Sequence, residues 1–139
     1  MLRKFSAALL LATAVVAAGC DNDIENLPGP TDPNPTVTET FTGSLNTNGA
    51  VTHQFLVVAS GDVTARLAEI TPDSAVKVGF VLGTWSGSSC ESKIAKDEAS
   101  QGEALIGRVT GSGILCVRVH DPNGRLTAPL NYSMTVEHP

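Results

Sequence analysis

The chain has no persuasive amphipathic helix; only Ser92 to Ser100, with Lys93, Lys96, Asp97 and Glu98, has the makings of a helical turn or two. A helical architecture is therefore not expected. Nor is there an apolar run of the roughly 20 residues that a membrane-spanning helix needs. Nine basic residues stand against fourteen acidic ones, and no Lys/Arg cluster exists. Nucleic-acid partners and adsorption onto anionic lipid both need such a cluster, so neither is expected. Gly-x-Ser-x-Gly, His-Glu-x-x-His, Cys-x-x-Cys and phosphate-cradling glycine loops are also missing, and with them the signatures of common hydrolases, zinc sites and nucleotide binders. We expect no enzyme activity, no cofactor and no metal. Aromatic residues are few, four Phe, one Tyr and one Trp, so any core must be mainly aliphatic.

What the sequence does contain is alternation. Leu115, Val117 and Val119 alternate with other residues, as do Leu130, Tyr132, Met134 and Val136, and the Asp-Pro-Asn-Gly segment between them breaks both strand and helix. The stretch reads as a half-buried antiparallel pair. Five earlier segments read as strands: Phe41 to Leu45, Val51 to Val58, Asp62 to Ile70, Ala75 to Leu82 and, interrupted by Gly107, Glu103 to Val109. Asn48-Gly49, Ser60-Gly61 and Gly111-Ser112-Gly113 supply turns, the last by position a hairpin. About seven short strands with frequent turns predict an all-β antiparallel sandwich over residues 39–139, a span long enough for one modest core.

The beginning is of another kind. Arg3 and Lys4 precede an uncharged apolar run from Phe5 to Ala18, the pattern of a secretory signal peptide over residues 1–19. Ala17-Ala18-Gly19-Cys20 resembles the lipobox of bacterial lipoproteins, although Leu is usual where Ala17 stands. The resemblance implies cleavage before Cys20 and acylation of that residue, with palmitate-like chains; two or more chains hold a protein on a bilayer where one holds it marginally. The competing reading is an ordinary signal peptide with Cys20 left as a spare thiol. Without Arg3 and Lys4, seven basic residues face fourteen acidic ones, for a mature charge close to −7. Residues 20–38 hold four prolines, several acids and few large apolar groups, the composition of an extended linker. Asp21 after the cysteine resembles the inner-membrane retention signal of enteric-type lipoproteins, a rule that varies between bacterial groups.

Gly43-Ser44-Leu45, Phe55-Leu56-Val57-Val58-Ala59-Ser60-Gly61, the Val63-Ala65-Leu67 strand, Gly113-Ile114-Leu115-Cys116-Val117-Arg118-Val119 and Asn131-Tyr132-Ser133-Met134-Thr135-Val136 together resemble the bacterial pre-peptidase C-terminal domain. Leu115 departs from the Tyr common in that family, and Thr52-His53-Gln54 stands where an acidic run is usual. The resemblance implies a jelly-roll-like sandwich serving secreted and surface proteins as a non-catalytic appendage.

Cys90 and Cys116 form an even pair in an exported chain, which predicts a disulfide. With Leu115, Val117 and Val119 facing the core, Cys116 faces outward, where a Gly83 to Gly102 loop carrying Cys90 can cross it. His53 shares phase with Phe55 and Val57, His120 ends a strand, and His138 lies in the tail; satisfied or solvated histidines are the expectation. The alternatives to a binding module are a structural or assembly partner of an envelope complex and a small hydrolase using His53 or His120. Asp121 and Asn123 read as turn residues, although a hard cation accepts the same oxygens. Trp85, in a Gly/Ser loop, either caps the core or contacts a glycan or protein. The sequence thus predicts a tethered envelope module whose partners are the bilayer, through Cys20, and an envelope protein or glycan.

Overall fold

The computed structural model describes residues 35–139; the expected signal peptide, Cys20 and most of the expected linker lie outside them. Eight strands run in order: β1 (Val37–Leu45), β2 (Ala50–Val57), β3 (Gly61–Thr71), β4 (Val78–Trp85), β5 (Cys90–Ala99), β6 (Ala104–Val109), β7 (Gly113–His120) and β8 (Leu130–His138). They form two antiparallel four-stranded sheets, β1-β8-β3-β6 and β2-β7-β4-β5. Sheets of this order stacked face to face make the eight-stranded jelly roll. The sandwich expected from alternation is present.

Period-two patterning fills the space between the sheets. Val63, Ala65, Leu67 and Ile70 of β3 and Leu130, Tyr132, Met134 and Val136 of β8 meet Phe55 and Val57 of β2, Phe80 and Leu82 of β4, and Leu115, Val117 and Val119 of β7 in one buried cluster. A bulge between Leu67 and Glu69 resets the phase of β3, which is how Ile70 returns to the inner face. The core is mainly aliphatic, as the scarcity of aromatics required.

Several local expectations change. Strand β5 occupies a stretch expected as loop with a helical turn, so the sandwich has eight strands rather than seven. Second, β7 and β8 do not pair with each other: β7 lies between β2 and β4, and β8 between β1 and β3. Third, the Gly111 turn is not a hairpin, since β6 and β7 belong to opposite sheets. Of all consecutive strands only β4 and β5 are neighbours in one sheet. Strand β1 also begins earlier than alternation indicated, Val37 pairing with His138.

Up-and-down strands through a sandwich put its loops at two ends. The Asn46–Gly49 turn, the 121–129 loop and the starts of β4 and β8 share one end, called here the latched end. The entry to β1, the 58–60, 86–89 and 110–112 loops and the last residues of β8 share the other, the entry end.

Candidate functional site

Cys90 and Cys116 are joined, their Cα atoms 5.8 Å apart. Cys116 is fully buried yet stands outside the core cluster that takes Leu115 and Val117, consistent with the outward phase expected of it. The bridge ties the start of edge strand β5 to β7 across β4, where Gly83, the register partner of Cys116, contributes no side chain. A Cβ on Gly83 would overlap the Glu91 carbonyl oxygen.

Asp121 is a structural latch. Its carboxylate accepts hydrogen bonds from the backbone N–H groups of Asn48 at 2.9 Å, Arg125 at 2.9 Å and Leu126 at 3.1 Å. The Asp121 N–H in turn donates to the Gly49 carbonyl, and the Thr47 hydroxyl to that of Leu126. Two loops are thereby closed onto each other. Asn123, at φ 61°, sits in the left-handed region inside a 3-10 turn; asparagine tolerates that conformation better than most residues. The turn reading accounts for both residues, and among the described residues no group of three or more His, Cys, Asp or Glu is placed to hold a metal.

Burial works to raise the Asp121 pKa, but the three N–H donors and the charge of Arg125 outweigh it and hold the carboxyl below its ordinary value. A depressed carboxyl pKa stabilises the fold above the unfolded value of about 3.9, and that stabilisation is lost as pH falls through the folded value. Asp121→Ala is expected to cost about 2–3 kcal/mol at neutral pH, because it strands several donors in closed loops. The gap to the unsubstituted protein should shrink in acid. Urea midpoints at pH 7.5 and pH 3 check this, and a neutral-pH loss below about 0.5 kcal/mol would remove the latch.

The three histidines occupy separate places. The His53 ring stacks on Phe41, with centroids 4.9 Å apart, and its Nε2 is hydrogen-bonded to the Tyr132 hydroxyl at 2.8 Å, bridging the two sheets. Gly43, beside Tyr132 in register, leaves the room: a Cβ there would overlap the tyrosine hydroxyl. Burial lowers the His53 pKa and raises that of Tyr132, so both are held neutral. His138 ends β8 rather than lying in a tail, and it is buried and satisfied, its ring nitrogens 2.9 Å from Glu39 Oε1 and 3.0 Å from the Pro139 carbonyl. His120 lies on the outer face of β7, where a Cβ on its partner Gly79 would overlap its ring. Its pKa is lowered by burial first and by Arg118 second, against smaller opposing effects of Asp97 and Asp121. The fold therefore does not bring His53 and His120 together. For both, a lowered histidine pKa means that stability is full above the ordinary value of 6.5 and falls as pH drops below it.

Trp85 is the last residue of β4 rather than part of the loop. It is half-buried opposite Cys90, beside a tight turn in which the Ser86 N–H and hydroxyl both bond Ser89. Two surface features escaped the sequence reading. On the outer face of the β1-β8-β3-β6 sheet, Thr42, Ser44, Glu69, Thr71, Asn131 and Ser133 line an open polar trough of about 360 Å³. Its signal was present in the sequence as the polar half of the alternation. On the other sheet, at the entry end, Leu56 and Ile114 pair with their side chains exposed. Trp85 belongs to this second sheet, so trough and tryptophan do not form one site.

No protein-family model matches the chain, and no curated protein matches it in sequence.

Proposed function

We propose that the protein is an exported lipoprotein of the bacterial envelope, anchored through acylated Cys20, with a non-catalytic jelly-roll module that serves binding or assembly. The observation that carries this reading is the Cys90–Cys116 disulfide. Disulfides persist in oxidising compartments, which supports export. The chain has three cysteines, so the bridge leaves Cys20 without a partner cysteine in its own chain, and acylation is the chemistry that the preceding Ala-Ala-Gly calls for. The resemblance to the pre-peptidase C-terminal domain rests on its short motifs and supports the role of an appendage. Within that role, the hydroxyls and amide of the polar trough suit a hydrogen-bonding partner such as an envelope glycan or a polar protein surface.

Intact mass of the protein extracted from the membranes of its native host, with and without reductant and alkylation, tests the anchor. The expected result is a chain that starts at acylated Cys20 and gains two alkyl groups only after reduction. An unacylated chain would overturn the anchor, and free thiols at Cys90 and Cys116 would remove the support for export.

A further inference from the structure

We propose that the entry end of the sandwich is a membrane-contact face, with Leu56, Val58, Ile114, Trp85 and Val37 seated among the lipid headgroups of the bilayer that holds Cys20. This rests on the anchored reading above. Among the described residues five large aliphatic side chains stand exposed: Val37 at 44%, Leu56 at 57%, Val58 at 64%, Ile106 at 67% and Ile114 at 47%. All but Ile106 lie at the entry end. Leu56 and Ile114 are register partners one residue inside the ends of β2 and β7, and Val58 continues the outer phase of Leu56. Thr84 pairs with Leu115, so Trp85 extends the same row on the next strand, level with Ile114.

The loops around this row differ from those at the latched end. Val58-Ala59-Ser60, Ser86-Gly87-Ser88-Ser89 and Thr110-Gly111-Ser112 hold no charged residue, and the Gly111 N–H donates to the Ser60 hydroxyl at 2.6 Å, tying two of them together. The nearest charges, Asp62 and Arg108 at 3.8 Å from each other, Glu91 and Glu137, lie one residue inside their strand ends, level with Leu56 and Ile114 rather than on the loop tips, and Glu39 lies further in. Loops at the latched end carry Asp73, Lys77, Glu103, Asp121 and Arg125. An uncharged rim of aliphatic residues with one tryptophan suits the interfacial zone, where an aromatic ring with an apolar body and a polar N–H settles at headgroup level.

The tether selects the occupant. The chain enters β1 at Val37, on the same end, and the proline-rich stretch between Cys20 and Pro35 spans at most about 3.1 Å per residue when extended. That stretch has the reach to let this end meet the bilayer, and the meeting requires no reversal of the domain. With no basic cluster on the rim, contact comes from apolar burial and is independent of lipid charge.

The test uses the chain from Cys20 onward with its disulfide formed, so that Cys20 is the one free thiol, coupled to maleimide-bearing lipid in phosphatidylcholine vesicles. The comparison is the same chain coupled to a soluble maleimide. Hydrogen exchange is expected to slow severalfold on vesicles in residues 56–60, 85–89 and 110–114, and to stay unchanged in 46–49 and 121–126. Combined Leu56→Ser, Val58→Ser and Ile114→Ser should abolish that protection without moving the thermal midpoint, whereas Ile106→Ser should leave it intact. Equal exchange on vesicles and in solution would overturn the proposal. So would protection that requires anionic lipid, or protection that appears without vesicles as concentration rises, which marks a second copy as the occupant. Coupling supplies the anchor chemically, so a failure here is distinct from a missing acyl group in the intact-mass experiment.

Discussion

Phe80→Ala is expected to lower stability by about 3–5 kcal/mol, the range for emptying a buried aromatic site. Phe80 is fully buried on β4, between β7 and β5, in phase with Val78 and Leu82. The cost lies at the upper end of what a cavity exacts, because the other side chains of the core cluster, among them Val63, Leu67, Val119 and Met134, are themselves fully buried and held by paired strands, with little freedom to collapse into a hole. A domain of this size is stable by roughly 5–15 kcal/mol, so the variant forfeits a large share. Urea unfolding followed by Tyr and Trp fluorescence measures it, with Leu56→Ala on the exposed face as a near-silent reference. A loss below about 1 kcal/mol for Phe80→Ala would mean that the core is not packed as described.

Removal of the bridge is the second large effect. The disulfide spans 26 residues of sequence, and closing such a loop stabilises the folded state by about 3–4 kcal/mol in the chain-entropy model. The paired substitution Cys90→Ser and Cys116→Ser should show that loss in a denaturant titration, and reductant should add nothing further. The loss should also be local first. Strand β5 pairs only with β4 and is exposed along most of its length, with Ala99 its single fully buried side chain, so it has little apolar burial of its own to hold it. Its amides should exchange faster in the variant while those of β3 and β8 keep their protection. Uniform acceleration across both sheets would show that the bridge stabilises the whole sandwich rather than its edge.

Strand β5 also shows where pattern reading stops. Half of its sequence, Cys-Glu-Ser-Lys-Ile-Ala-Lys-Asp-Glu-Ala, is charged, a common way of protecting an exposed sheet edge from pairing with other chains. Bulges opposite Val78/Phe80 and Leu82/Gly83 then break its period, so that Ile94 and Ala99, the residues turned toward the core, lie an odd number of positions apart. No alternation survives to be read. What holds β5 is the ladder to β4, its neighbour in sequence across the 86–89 turn, and the bridge to β7, whose cysteine stands 26 residues away. Cys90 and Cys116, by contrast, were legible as a pair, because with Cys20 set aside as the expected lipidation site only one pairing of the remaining two cysteines is left. The His53–Tyr132 bridge was not, since nothing in either strand indicates that Gly43 clears the way between them.

The sequence by itself determined the strands that alternate, the inner face of each, the turn positions, the sandwich class and the cysteine pair. Each of these depends on chemistry within a few residues: period-two burial, or a residue able to adopt a turn. Tertiary structure alone decided which strands are neighbours. A turn such as Asn46–Gly49 or Thr110–Ser112 has the same composition whether the chain re-enters its own sheet or crosses to the opposite one, so local chemistry cannot separate a hairpin from a crossover. The choice is made by closing two sheets over one core, which places β8 between β1 and β3 and β7 between β2 and β4. It also gathers Leu56, Ile114 and Trp85, residues from three strands far apart in the chain, into a single row at one end.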